Sequence, residues 1–194
     1  EQVTLELVRA IGCAGEAILV FLPGASEVSL FADVLGALEA PVQAQGEARR
    51  RERCEFRVLP LHGGVAVEEQ KKALQQPPEN VCYVLLASHV AESSVTLPKV
   101  RVVIDFCLRR TAVFDKTRRG FGLSLPQWAS QSLVTQRAGR SGRVFAGISI
   151  RMVPQSFFAG MLYEFDAPDV EPAPLEKLFL KVAHLSQRIR ETMP

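Results

Sequence analysis

No GxxxxGK(S/T) phosphate loop occurs anywhere in the 194 residues, nor even a Gly-Lys pair, and no GxGxxG follows a strand-like run. The first absence removes the usual backbone cradle for nucleotide phosphates, and the second removes the dinucleotide fingerprint of a dehydrogenase. Charge of one sign is also lacking: 23 Lys and Arg against 21 Asp and Glu leave a net +2. No global basic field therefore advertises nucleic acid, and any such binding must come from local clusters. The four cysteines, Cys13, Cys54, Cys82 and Cys107, form no CxxC and have no close histidine partner. Three lie in apolar surroundings and read as small buried hydrophobes, which fits a reducing compartment. Apolar runs such as AILVFL are far too short to cross a bilayer, and the first residues resemble an amphipathic helix and not a signal peptide. The expectation is a soluble intracellular protein without membrane contact, with no signal to separate nucleus from cytoplasm.

What is present is a core-forming composition, 47% apolar and 23% charged, arranged as short apolar strands alternating with amphipathic helices. Strands are expected at 17–22, 57–61, 81–88, 100–106 and 148–153, most of them nearly continuous apolar runs, as strands buried on both faces should be. Helices are expected at the start of the chain, at 26–40 with Ser26 as N-cap and Glu27 in the first turn, at 65–74 and at 130–139. This β-α-β-α order predicts an α/β fold, a mainly parallel sheet with helices on both faces. Ligands then collect beyond the carboxyl ends of the strands.

Two stretches interrupt the pattern. Residues 40–55 carry Arg49, Arg50, Arg51 and Arg53 diluted by Glu47, Glu52 and Glu55, and read as a solvated surface loop. Residues 111–125 alternate apolar and polar side chains around KTRRG, a β-hairpin with a basic tip at Lys116, Arg118 and Arg119. After residue 153 the sheet pattern stops, and APDVEPAP leads into a last helix. The expected division is residues 1–155 as one lobe and 156–194 as the start of another domain.

The most unusual stretch is QRAGRSGR, 136–143, in which Arg137, Arg140 and Arg143 are spaced by threes with Gly139 and Gly142 between them. Interior glycines weaken a helix by about 1 kcal/mol each and neighbouring like charges repel, so an anionic partner is the natural explanation. Guanidinium groups bind phosphate oxygens bidentately and stay charged at any working pH. Glycines let a polyphosphate approach the backbone, and a glutamine can orient an attacking water.

QRAGRSGR resembles motif VI of superfamily 2 helicases, in the form used by the DEAH/RHA family of RNA helicases. Other segments are similar in order and separation: LVFLPG (19–24) to motif IV, LPLHGGVAVEEQ (59–70) to motif IVa, and LASHVAESSVTLPKVRVVID (86–105) to motif V. The hairpin at 111–125 falls where the family places one between motifs V and VI. The resemblance covers nearly the whole chain. It implies the second, C-terminal RecA-like lobe, a three-layer domain with an inserted hairpin, followed by the first residues of a winged-helix-type domain.

The resemblance further implies that Arg140 and Arg143 are arginine fingers on the β- and γ-phosphates of ATP, that Gln136 positions the lytic water, and that Arg137 ties the motif to neighbouring structure. Ser94 and Thr96 would lie at the interlobe cleft with Ser93, Ser94 nearest the nucleotide, where Gly139 also gives access; ordinary loop capping is the plainer alternative for the three hydroxyls. Ser88 and His89 would face the backbone of single-stranded RNA, Gly24 and Ala25 would form the hook-like turn that meets it, and Arg118 and Arg119 would touch its phosphates. ATP with Mg²⁺ would be used by the intact enzyme, with an N-terminal RecA-like lobe of the same protein and an activating protein cofactor as further partners.

The chain departs from the family in three places. His89 stands where the family has Asn, Leu74 where many members stack an aromatic ring on adenine, and Pro98 where an Asp meets the ribose. These changes imply loose or base-indifferent nucleotide recognition without touching the arginines. With no phosphate loop and no DEAH-like acidic cluster, the chain holds one wall of an ATP site; alone it should neither bind ATP tightly nor hydrolyse it, and it reads as one lobe of a larger protein. The alternative is a catalytically degenerate, helicase-derived scaffold for RNA or protein, although such a scaffold has no use for arginine fingers. Trp128 reads as a packing anchor more than a base-stacking platform. His62 and His184 lack metal-spaced partners, so no metal site is expected, and Asp105 reads as a hydrogen-bond acceptor for the turn after its strand.

Overall fold

The computed structural model describes residues 1–39, 54–93, 96–115, 120–142, 145–167 and 175–192. Residues 40–53 of the expected basic loop, the hairpin tip with Lys116, Arg118 and Arg119, and the site candidates Ser94 and Arg143 lie outside them. In chain order the elements are α1 (Gln2–Ile11), β1 (Ala17–Phe21), α2 (Ala25–Leu35), β2 (Glu55–Leu61), α3 (Val67–Ala73), β3 (Val81–Ala87), α4 (Val90–Ser93), β4 (Val100–Asp105), β5 (Leu108–Arg109), β6 (Ala112–Asp115), β7 (Gly120–Leu123), β8 (Gln127–Trp128), α5 (Gln131–Ala138), β9 (Ile148–Arg151), α6 (Gln155–Met161) and α7 (Leu175–Thr192).

All five apolar runs become strands of one sheet, ordered β2-β3-β1-β4-β9. Every pairing in it is parallel. The central strands β1 and β3 are buried at every residue, which explains why they read as unbroken hydrophobic runs. Alternate side chains serve opposite faces. Ile18 and Val20 pack with Val8 of α1 and Val28, Phe31 and Leu35 of α2, whereas Leu19 and Phe21 join Leu61, Leu85, Ala91 and Val103 on the other side. Each fully buried residue of this kind contributes about 1.5–3 kcal/mol. The edge strand β2 is half exposed, and Glu39 covers part of its open ladder by accepting the Val58 N–H at 2.8 Å.

The expected N-cap at Ser26 is not the observed one. Gly24, extended at φ −163° and ψ 179°, precedes the first helical residue, and its carbonyl already accepts the Val28 N–H at 3.0 Å. Ser26 therefore sits inside the first turn, where its hydroxyl bonds Glu27 Oε2 at 3.1 Å. α2 also stops short of residue 40, passing at Gly36 into a 3-10 turn, Gly36–Leu38.

The chain divides into two compact units, Glu1–Arg109 with Pro126–Asp166, and Arg110–Leu125 with Ala167–Pro194. The first contains the sheet and a small separate core in which α5 (Leu133, Val134) meets Leu162, Phe157 and Phe158. Helix α6 had no counterpart among the expected elements. The segment after it completes the start of α5: Gln131 and Ser132 donate their N–H groups to Tyr163 O and Glu164 O at 2.8 and 3.0 Å, and Asp166 Oδ1 accepts the Ser130 N–H at 3.2 Å. Trp128 packs edge-on against Phe157, centroids 4.8 Å apart, and is half exposed. The second unit contains the antiparallel β6–β7 hairpin and α7, whose Phe179, Leu180, Val182 and Leu185 are exposed. Among the described residues no helix is long and apolar enough to cross a membrane.

Candidate functional site

A parallel sheet brings the carboxyl ends of its strands to one edge, and Gly24, Ala25, Ser88 and His89 follow β1 and β3 there. The exits of β1, β3 and β4 lie side by side: Leu22 N–H bonds Ala87 O at 2.8 Å, Ser88 N–H bonds Leu61 O at 3.2 Å and Phe106 N–H reaches Phe21 O at 3.4 Å. Gly24 and Ser88 are buried here, Ala25 and His89 exposed. Beyond β4 the chain turns through Cys107, whose φ of +56° is rare for a residue with a side chain. Asp105 Oδ1 accepts the Cys107 N–H at 2.8 Å and so holds that turn, the role its position at the strand end suggested.

Helix α5 carries the first part of the arginine motif. Ser130 caps it by accepting the Leu133 N–H at 3.1 Å. The helix ends at Gly139, and Gly142 turns the chain with φ +77°. Gly147 closes against this turn: a Cβ there would come within 2.7 Å of the Ser141 Cβ. The backbone is thus held by two glycines at different positions, one for its torsion and one for its lack of bulk.

Arg137 points inward and is 1% exposed. Its Nε and Nη2 donate to Glu92 Oε1 at 3.0 and 2.6 Å, and its Nη1 donates to Asp105 Oδ1 at 3.0 Å and to Leu108 O at 3.1 Å. The Phe21 ring lies 5.0 Å from the guanidinium carbon. One arginine therefore ties together α4 after β3, the end of β4, and α5, as its expected tethering role requires. Burial pushes the Asp105 carboxyl above its ordinary value, against the pull of the Arg137 charge. Its second oxygen, Oδ2, is buried without a hydrogen-bond partner.

Gln136 and Arg140, one helical turn apart, face Glu92 from the same side. Gln136 Nε2 donates to Glu92 O at 3.4 Å, and Arg140 Nη2 donates to the same carbonyl. Among the expected nucleotide-site residues, Gln136 and Arg140 are brought together at the Glu92 carbonyl of α4, with Gly139 exposed between them. Leu74 closes α3 and is 42% exposed, and Thr96 is exposed ahead of the buried Leu97. Glu92 itself was missed in the sequence, although it stands in the motif V stretch AESS; its only signal was an acid between two apolar neighbours' positions and a run of hydroxyls. Among the described residues no group of three His, Cys, Asp or Glu side chains is placed to hold a metal ion.

The family of helicase conserved C-terminal domains matches residues 5–145. Human "ATP-dependent RNA helicase TDRD9" is 37% identical over 165 residues, 85% of this chain and 11% of the relative. The "Probable ATP-dependent RNA helicase spindle-E" of Culex quinquefasciatus is 35% identical over 164 residues, 84% of this chain and 11% of the relative. The chain thus spans about a tenth of the length of these curated relatives. Among solved structures, the E. coli DExH-box NTPase HrpB superposes with a TM-score of 0.71 and 28% identity, covering 91% of this chain and 20% of HrpB. The sheet order, the RecA-like α/β architecture and the matched span lead to one assignment: this chain belongs to the family of helicase conserved C-terminal domains.

Proposed function

We propose that this chain is the C-terminal RecA-like lobe of an ATP-dependent RNA helicase or ribonucleoprotein remodeller, supplying arginine fingers to an ATP site shared with an N-terminal lobe. The observation that carries the reading is the seating of Gln136 and Arg140 together on α4 at the carboxyl edge of the sheet, in a chain whose relatives bear the name ATP-dependent RNA helicase. Arg140 and Arg143 would neutralise charge developing on the transferred phosphoryl group, and Gln136 would orient water. The N-terminal lobe would bring the phosphate loop and the acidic residues for Mg²⁺, so this lobe alone would not turn ATP over. Ser94 and Thr96 would complete the nucleotide face, with Leu74 at the adenine position. Gly24, Ala25, Ser88 and His89 would line the track for single-stranded RNA, with Arg118 and Arg119 of the hairpin alongside. Residues 1–155 would form the lobe and 156–194 would lead into a winged-helix-type domain; an activating protein would act on the intact enzyme.

The test is Arg140→Ala and Arg143→Ala in the intact two-lobed protein. RNA-stimulated ATP hydrolysis should fall by about 10³-fold or more, the scale of an arginine finger, while equilibrium binding of single-stranded RNA stays within threefold. Unchanged turnover in both variants would refute the finger assignment.

A further inference from the structure

Glu92 meets the arginine motif through two chemically different groups. Its carboxylate takes two hydrogen bonds from the buried Arg137, at 3.0 and 2.6 Å. Its main-chain carbonyl takes Gln136 at 3.4 Å and Arg140 as well. A residue needed only to neutralise a buried arginine would use the carboxylate alone, and Asp105 already supplies a second negative charge at 3.0 Å. Helix α4 is four residues long, so its carbonyls have few helical partners and are available to donors from α5. The carboxylate fixes where α4 sits relative to Arg137, and that placement sets where the carbonyl offers itself to Gln136 and Arg140. Both contacts are made from one residue, so shifting its side chain shifts the acceptor that the two outward-facing groups share.

We propose that Glu92 is a positioning residue for the proposed ATP site: by gripping Arg137 it holds its own carbonyl under Gln136 and Arg140 and sets the geometry in which they meet phosphate. The inference rests on the arginine-finger reading above. Glu92 need not touch nucleotide; it acts through Gln136 and Arg137 of α5 and Arg140 just beyond it. Since misplacement of a catalytic group by about 1 Å can lower a rate 10²-fold, loosening this grip should appear in turnover more than in binding.

The experiment compares Glu92→Gln and Glu92→Ala with Arg140→Ala and Val8→Ala in the intact two-lobed protein, measuring kcat and KM for ATP, single-stranded RNA affinity and thermal midpoint. Val8 is buried under the sheet in α1, away from the α5 motif, and reports the effect of lost stability alone. Glu92→Gln keeps an oxygen acceptor for Arg137 and should lower kcat about tenfold, and Glu92→Ala about 100-fold, with KM for ATP and RNA affinity within threefold of the parent. Val8→Ala should lose thermal stability and retain kcat. If Glu92→Ala fails to fold, the tenfold loss in Glu92→Gln decides alone. The inference is overturned if Arg140→Ala is inactive while Glu92→Gln keeps kcat within twofold, or if Glu92→Gln loses RNA affinity in step with turnover. Retained activity in Arg140→Ala would instead overturn the finger reading itself.

Discussion

Replacing Arg137 by Met removes a charge that three segments of the first unit share. Glu92 and Asp105 would both lose their cationic partner, and Asp105 is fully buried. Breaking a buried ion pair from one side typically costs 3–5 kcal/mol, a large share of the roughly 5–15 kcal/mol that stabilises a domain. At about 2–4 °C per kcal/mol for a chain of this size, the thermal midpoint should fall by about 6–20 °C. The pH dependence gives the decisive signature. With the guanidinium gone, the Cys107 N–H bond is left to oppose the burial that already raises the Asp105 carboxyl above 3.8. The native variant then holds a proton that the unfolded chain releases, so stability falls by about 1.4 kcal/mol for each unit of rising pH within that window. Lowering the pH through that window should recover stability, and adding Asp105→Asn should remove the slope. Urea unfolding across the window measures both quantities. A loss below about 1 kcal/mol, or a pH slope equal to that of the parent, would refute the buried-network account.

Burial pushes the thiols of Cys82 and Cys107 up to about 12, whereas Cys13 is exposed. At pH 8 iodoacetamide should label Cys13 first and reach Cys82 and Cys107 only in denaturant; labelling of Cys107 as fast as Cys13 would contradict this. Both buried thiols stay protonated in the native chain after the unfolded chain has begun to ionise near 9. Stability should therefore be fully present below pH 9 and decline as pH rises toward 12, readable by thermal melts. Gly147→Ala should destabilise by about 1–3 kcal/mol, because its Cβ would press on Ser141. Gly36→Ala, with open space around it and φ −55°, should be neutral or stabilising by up to about 1 kcal/mol, so equal melts for the two variants would refute the packing argument.

The sheet was legible because buried parallel strands leave nearly pure apolar runs, and all five runs entered it. The start of α2 was less legible: Ser26 has the chemistry of a cap, but Gly24 takes the capping position and its carbonyl accepts the Val28 N–H. Helix α6 escaped notice because all of its residues are at least partly exposed, so no amphipathic stripe marks it. In the site, the expectation of an anion partner for the arginines remains part of the proposal, whereas the tethering role of Arg137 followed from the motif. Its acidic partners did not. Glu92 lies 45 residues and Asp105 32 residues away in sequence, and only the juxtaposition of strand exits makes them neighbours.

The strand order also has a consequence for synthesis. β1 is the central strand, yet it is translated first, and both of its neighbours, β3 and β4, begin only at Val81 and Val100. A ribosome adding about 5–20 residues per second leaves β1 with two open edges for several seconds. Throughout that interval AILVF is an unpaired, uncharged β segment of the kind that seeds intermolecular pairing. The nascent lobe therefore has its aggregation hazard at its own centre, and α1, emerging just before β1 with Val8 directed at the same core, is the first native surface able to shield it.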